Sequence, residues 1–179
     1  MIRFVRRVVL VLAIGSTALL PACNDETLPT PIPTPVTSVR GIVASTSFTD
    51  FPTDVYLGIP IPLEQPGALD FTVDWTFPDT YMEVAFGSQP CTFQELNART
   101  CPFDVKSQGT TPKPRFLVTP PVRVGTYFLY LYSKPWTKKD GIGSENVEAV
   151  ALQIGLTVGV TPASAQIAPI KLGAPVVLK

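Results

Sequence analysis

Hydrophobic and polar residues alternate along several short segments of the chain, and this alternation predicts β-strands. The clearest segment is 69–77 (LDFTVDWTF), where every second side chain is apolar, as expected of a strand with one buried face. Trp75 is in phase with the apolar positions, so we expect it in the core. The turn residues Pro78 and Asp79 follow, and 81–86 (YMEVAF) resumes the alternation. Together the two segments predict a hairpin that buries one face.

Other segments indicate the same kind of structure. Residues 125–133 (GTYFLYLYS) are apolar or aromatic on both sides, as expected of a central strand in a sandwich. Residues 147–158 (VEAVALQIGLTV) alternate again, with the branched aliphatic side chains inward and Gln153 outward. Weaker strands are predicted near 39–44, 54–59, 103–106 and 115–118, and one short helical turn within 92–99.

These short segments, separated by frequent turn residues, predict an all-β fold. The 20 prolines of the chain argue against long helices, because proline removes a backbone donor and clashes with the preceding turn. We therefore expect an antiparallel β-sandwich, jelly-roll-like, with about eight or nine strands.

The N-terminal segment has a different pattern. Arg3, Arg6 and Arg7 precede an apolar run at 8–20, and no acidic residue lies among them. A positive segment followed by such a run is typical of a signal peptide. The run has 13 residues, whereas a membrane-spanning helix needs about 20. We therefore expect residues 1–22 to be a signal that is removed.

The apolar run ends in Leu20-Pro21-Ala22-Cys23, which resembles the lipobox of bacterial lipoprotein precursors. The resemblance implies that Cys23 is lipidated, because its thiolate accepts diacylglycerol, and that the acyl chains hold the protein on a membrane of the cell envelope. The alternative is a soluble secreted protein cleaved after Ala22. Asn24 follows the cysteine in place of Asp, which favours the outer membrane over the inner one if the host has two membranes.

The remaining chain divides into three parts. Residues 23–37 form a Pro/Thr-rich tether, whose composition favours extended polyproline II. Residues 38–159 contain the predicted strands of the sandwich domain. Residues 160–179 are interrupted by proline, and they form either a last edge strand or a loose C-terminal tail.

Composition narrows the possible partners and chemistry. The chain has 14 basic and 14 acidic side chains; without the three arginines of the signal, 11 basic side chains remain against 14 acidic ones, a net charge of −3. A nucleic-acid partner is not expected, because phosphate binding needs clustered positive charge. The absence of histidine excludes Ser-His-Asp and Cys-His relays and His-ligated zinc. We expect no cofactor.

The cysteines predict a disulfide. If Cys23 is lipidated, Cys91 and Cys101 remain as an even pair in an oxidising compartment. A redox or metal pair would instead have CxxC spacing or further sulfur and imidazole ligands. A structural disulfide that closes a short loop is therefore expected.

The order of several segments resembles the bacterial pre-peptidase C-terminal domain and related jelly-roll modules. The matching segments are LDFTVDW after Pro66-Gly67, then YMEVAF, PRFLVTPPVRVGTYFLYLY and finally LTVG, and the similarity covers about 39–159. The resemblance implies an accessory β-sandwich that accompanies secreted enzymes and has no catalytic residues of its own. Some members of that family bind calcium or aid substrate contact.

Calcium binding is one hypothesis for the acidic residues of the clearest strand pair. Asp74, Asp79 and Glu83, with Asp70, could supply the carboxylate oxygens that hard cations prefer. Asp70 and Asp74, however, occupy the solvent face of an alternating strand, where acids are expected without a metal, and no DxDxDG-like spacing is present. A glycosidase pair would need a cleft and a set carboxylate separation.

Aromatic residues are the other candidates for a site. Tyr81, Tyr132 and Trp136 are possible ligand contacts, because exposed flat rings can stack on sugar faces. Trp136 lies in the segment 133–140 (SKPWTKKD) beside two lysines. Its alternative role is a lid over one end of the sandwich.

The sequence therefore predicts a membrane-anchored envelope lipoprotein that presents a non-catalytic binding or interaction module. Carbohydrate and another envelope protein are the two partner classes expected. A purely structural lipoprotein without a ligand is the alternative, and a hydrolase that uses carboxylates alone is a third hypothesis.

Overall fold

The computed structural model describes residues 37–134, 148–160 and 166–179. Nearly all of these residues lie in strands or in the connections between them, and a single short helix interrupts the order. The elements are β1 (Thr37–Phe51), β2 (Tyr56–Leu63), β3 (Gly67–Trp75), β4 (Tyr81–Gly87), α1 (Phe93–Asn97), β5 (Val105–Gly109), β6 (Arg115–Val122), β7 (Gly125–Lys134), β8 (Glu148–Val160) and β9 (Val176–Leu178).

The nine described strands form two antiparallel sheets that face each other. The four-stranded sheet has the order β1-β8-β3-β6, and the five-stranded sheet has the order β5-β4-β7-β2-β9. From β1 to β4, and again from β5 to β8, each strand lies in the opposite sheet from the strand before it. Strands that are consecutive in these two runs therefore do not pair, which is the arrangement of a jelly roll. The predicted all-β sandwich is confirmed. The short helical turn predicted within 92–99 is α1, and no helix among the described residues has the length and apolarity to cross a bilayer.

The hairpin predicted from 69–77 and 81–86 is wrong. β3 pairs with β6 and β8, whereas β4 pairs with β5 and β7, so the two strands belong to opposite sheets. Both strands have one apolar face. The hydrophobic pattern of such a strand repeats every two residues whether its neighbour in sequence pairs with it in the same sheet or packs against it from the opposite sheet, so the pattern alone could not decide between the two. Their apolar faces meet across the sandwich, where the rings of Phe71 and Phe86 lie 5.3 Å apart.

The core between the sheets is built from the inward side chains of every long strand. In β3 the buried positions alternate as predicted, and Trp75 is only 3% exposed. β8 alternates in the same way, with Gln153 outward. β7 lies in the middle of its sheet, between β4 and β2, which confirms the central strand predicted from the aromatic segment 125–133.

The C-terminal residues extend the five-stranded sheet. β9 pairs antiparallel with Tyr56–Gly58 of β2, so the edge-strand alternative for the tail describes its last residues. The weaker strands are present, although β2 begins at Tyr56, two residues later than predicted, and β1 runs on to Phe51. β1 begins at Thr37, the last residue of the predicted tether.

Candidate functional site

The outer face of the five-stranded sheet places three polar and aromatic side chains in one row. Tyr132 on β7 is directly opposite Tyr56 on β2 and, on its other side, opposite Glu83 on β4. Because side chains two residues apart on a strand share a face, Tyr81 and Lys134 lie in the next row, where they are paired with each other. The register alone therefore brings two sequence candidates for ligand contact, Tyr81 and Tyr132, to the same surface.

The disulfide loop covers the other half of this face. Cys91 and Cys101 are joined, with Cα atoms 5.9 Å apart, which confirms the predicted bridge. The backbone N–H of Cys91 donates to the Tyr130 hydroxyl of β7 at 2.7 Å. A second apolar cluster, separate from the core between the sheets, fills the space below the loop: Tyr56, Ala85, Cys91, Leu96, Cys101 and Tyr130.

Helix α1 forms the rim of this covered region, and local capping fixes its short length. Thr92 begins it with a capping box, in which its hydroxyl accepts from the Glu95 N–H at 3.3 Å and the Glu95 carboxylate accepts from the Thr92 N–H at 2.8 Å. At the other end, the Arg99 N–H donates to the Leu96 carbonyl and the Thr100 N–H to the Glu95 carbonyl, a Schellman closure.

Between α1 and the tyrosines lies an open cleft of about 490 Å³. Tyr56 and Tyr132 stack at its base, with ring centroids 4.7 Å apart and planes 29° apart. The Tyr132 hydroxyl donates to Asp54 at 3.1 Å. The lining residues are Asp54, Tyr56, Tyr81, Glu83, Phe93, Asn97, Arg99, Thr110, Tyr132 and Lys134.

Glu83 is the most deeply placed charge of the cleft. It is only 4% exposed, although its alternation with apolar residues predicted a solvent position. One of its carboxylate oxygens lies 2.7 Å from Lys106 Nζ on β5. This ion pair compensates for the loss of water around a buried carboxylate, which would otherwise be costly.

The tyrosines of the cleft remain protonated over a wide pH range. Burial raises the pKa of Tyr132 to about 12, and its hydrogen bond to Asp54 acts in the same direction. Burial, followed by the charge of Glu83, raises the pKa of Tyr56 to about 12. Near neutral pH both side chains are therefore neutral rings with hydroxyl groups that can donate as well as accept.

Two residues at the cleft have a left-handed backbone. Asp54 has φ 57° and Arg99 has φ 59°, and they are the positive-φ residues other than glycine in the described part of the chain. Aspartate tolerates this region, but for arginine the conformation costs roughly 1–2 kcal/mol. Arg99 occupies the position just after the helix end, where glycine is usual. Such outliers concentrate at functional sites.

The other sequence candidates lie elsewhere. Asp74, on β3 of the opposite sheet, is 3.2 Å from Lys113, and Asp79 is exposed between β3 and β4. These two are therefore not gathered with Glu83, and the described residues contain no group of three or more potential metal ligands. Cys23 and Trp136 lie outside the described residues.

Sequence reasoning missed Asp54, Tyr56 and Arg99. Tyr56 lies at the start of a weak strand, and its partner across the sheet depends on a register that only the fold supplies. The sequence does contain a signal for Arg99. Thr92 and Glu95 have the spacing of a capping box, which predicts the start of a helix, and the residue just after the end of a helix often has a left-handed backbone.

Comparisons with known proteins add no family assignment. No family model matches the chain, and no curated protein or solved structure is detectably similar to it. The resemblance to the pre-peptidase C-terminal domain thus stays a prediction, and the cleft must be interpreted from its own chemistry.

Proposed function

We propose that this chain is a lipid-anchored protein of the cell envelope, held through Cys23, whose sandwich binds carbohydrate without catalysis. The proposal is supported above all by the cleft on the five-stranded sheet, in which a pair of stacked tyrosines lies next to charged and amide side chains. The outer membrane is the proposed location if the host has two membranes, on the grounds given for Asn24.

The chemistry of the cleft suits a sugar ring. The apolar faces of a pyranose pack on aromatic rings, while its hydroxyls need directional partners, and ligand sites combine an apolar surface with a few placed polar groups. Tyr132 offers both in one side chain, and Asn97 and Thr110 add neutral polar groups at the rim. A volume of about 490 Å³ lies within the usual range for small-ligand sites, roughly 300–1,000 Å³.

A carboxylate-only hydrolase is the second candidate, because Asp54 and Glu83 line the same cleft. Binding is the better interpretation of the contacts. Glu83 already contacts Lys106, whereas a glycosidase needs two carboxyl groups that both act on the scissile bond. Asp54 is already engaged by the Tyr132 hydroxyl.

Binding can be tested with protein that lacks residues 1–22 and carries Ser in place of Cys23. A glycan array would identify ligands, and titration calorimetry would compare the wild type with Tyr132→Ala. We expect Tyr132→Ala to weaken binding by severalfold to about tenfold, since stacked aromatic contacts contribute about 0.5–1.5 kcal/mol beyond the area that they bury.

Phe116→Ala is the matched control, because Phe116 is a 64% exposed aromatic on the opposite sheet. It should leave glycan affinity unchanged. Absence of binding to any glycan would leave the structural lipoprotein as the better hypothesis, and release of shorter sugars that Glu83→Gln abolishes would establish the hydrolase.

The anchor is tested separately. Cys23→Ser in the full-length protein should abolish incorporation of labelled palmitate and move the protein from the membrane fraction to the soluble fraction. Globomycin should cause precursor to accumulate. Wild-type protein that takes up no labelled lipid would refute the anchor and favour a soluble secreted form, whatever the cleft binds.

A further inference from the structure

We propose that the ligand of the cleft is an acidic saccharide, and that Arg99 and Lys134 bind its negatively charged substituent. This inference rests on the proposed function and names the class of sugar. A carboxylate, sulfate or phosphate group on the sugar would supply the same chemistry, since each presents paired oxygens to cationic donors.

The charges of the cleft are not equally satisfied by the protein. The two acids each contact a donor of the chain, because Asp54 accepts from the Tyr132 hydroxyl at 3.1 Å and Glu83 lies 2.7 Å from Lys106 Nζ. Neither cation at the rim has such a partner: within the described ranges, no ion pair and no side-chain hydrogen bond involves Arg99 or Lys134. The Tyr132 hydroxyl is neutral and does not cancel the charge of Asp54. The two cations for which the described residues supply no partner outnumber this one acid, so the cleft offers a net positive charge to a ligand.

The backbone at Arg99 independently indicates a role for its side chain. Arg99 has φ 59° at the residue that closes the Schellman motif, where glycine would avoid the steric strain of a Cβ atom. The side chain is exposed, so packing does not compensate for that strain. What the side chain does reach is the cleft, where its charge lies close enough to influence the ionisation of both Tyr56 and Tyr81.

The arrangement of the two cations suits a charged sugar. Arg99 approaches from the end of α1, while Lys134 projects from β7 in the row next to the stacked tyrosines. A ring resting on Tyr132 would hold an acidic substituent beside both. Arginine can bind such a group with two parallel hydrogen bonds, and lysine adds a point charge.

The test uses pairs of ligands that differ only in charge. The first pair is oligogalacturonides and the same oligosaccharides with methyl-esterified carboxyl groups, and the second is sulfated and unsulfated dextran oligosaccharides. We expect the wild-type protein to bind at least one acidic member about tenfold or more tightly than its neutral counterpart, with affinity that falls as salt rises. The pair that shows the larger difference identifies the substituent.

Arg99→Gly separates a binding role from a structural one, because it removes the charge and relieves the backbone at once. We expect the acidic ligand to bind about tenfold more weakly, the neutral counterpart to bind as before, and the melting temperature to stay the same or rise. Lys134→Gln should weaken the acidic ligand by several fold. Arg123→Gln, at an exposed arginine outside the cleft, should change neither affinity nor melting temperature.

Each adverse outcome has a distinct meaning. Equal affinity for the acidic and neutral members of both pairs would overturn this inference and leave the carbohydrate proposal intact. Binding to no saccharide would overturn both. A lower melting temperature for Arg99→Gly, with losses of affinity that are the same for acidic and neutral ligands, would make Arg99 a structural residue and overturn its proposed role.

Discussion

The two sheets have similar inner faces and very different outer faces. In β3 of the four-stranded sheet, buried and more exposed positions alternate, and the outer charges Arg40 and Asp70 form an ion pair at the surface. In β4 of the five-stranded sheet, six consecutive residues from Met82 to Gly87 are buried. This part of the second sheet is therefore covered on both sides, by the core and by the disulfide loop.

This difference indicates which of the two outer faces is the better candidate for a functional surface. A sandwich needs only its inner faces to fold, and its outer faces can remain solvated. The five-stranded sheet instead has a second apolar cluster, a buried ion pair and a strained arginine on its outer side. The buried carboxylate and the left-handed arginine each cost free energy, and backbone strain of this kind concentrates at functional sites. The cleft is therefore the better candidate for function.

The largest expected effect comes from the inner face that both sheets share. Trp75→Ala should destabilise the protein by roughly 3–5 kcal/mol, because the side chain is 3% exposed and its removal leaves a large cavity. Thermal or denaturant unfolding would measure the loss. Trp136→Ala is the matched variant. Because the sequence predicts that Trp136 lies in an exposed segment, this change should alter the melting temperature little. Equal large losses would place Trp136 in the core.

A smaller effect is expected from the bridge that belongs only to the five-stranded side. Reduction of Cys91–Cys101 should destabilise the protein by about 2–3 kcal/mol, since it releases a short closed loop in the unfolded chain. Unfolding followed with and without reductant would measure this. The double variant Cys91→Ala/Cys101→Ala, compared with and without reductant, is the control for the reductant itself. Two free thiols in protein from an oxidising compartment would contradict the bridge.

The smallest effect is a loss of stability at alkaline pH. Tyr56 and Tyr132 ionise near pH 12 in the folded protein but near pH 10 in the unfolded chain. Below about pH 10 both states keep their protons and no change is expected. Between about pH 10 and 12 only the unfolded chain loses them, so the free energy of unfolding should fall as pH rises.

Denaturant midpoints at about pH 9 and about pH 11 would measure this fall, and phenolate absorption would follow ionisation directly. Tyr132→Phe removes one of the two groups and should show a smaller fall. If the variant and the wild type lost the same stability, burial of Tyr132 would not be the cause.

The sequence predicted the parts of the fold that depend on one strand at a time. β3 and β8 alternate because water bathes one face, so their buried residues follow from the pattern. In β4 the same alternation was misleading. Ala85 packs below the disulfide loop and Glu83 lies in the cleft against Lys106, and no local pattern reveals either contact. The pairing partners of β3 and β4 were also out of reach, since the choice between a hairpin and a crossing depends on the whole sandwich.

Several residues of the candidate site could be predicted from the sequence, but their arrangement in space could not. Tyr81, Tyr132 and Glu83 were each singled out, for two separate hypotheses, and only the register of β4 with β7 brings them together. Asp54 and Tyr56 both contact Tyr132, and Asp54 is 78 positions from it along the chain. Such long-range contacts have no counterpart in short-range periodicity.

The prolines of β2 affect whether neighbouring copies of the protein can pair through the edge of the five-stranded sheet. β9 protects this edge of the sheet only from Tyr56 to Gly58. Beyond it, the Pro60 carbonyl accepts from the Gly173 N–H at 2.9 Å, so Pro60 faces the edge, and Pro62, two residues on, faces it too. Neither has an N–H to offer a foreign strand, and proline on an edge is a known guard against edge-to-edge aggregation. Even at the high surface densities that a lipid anchor would impose, we expect neighbouring copies to remain separate molecules and not to grow into fibrils through this edge.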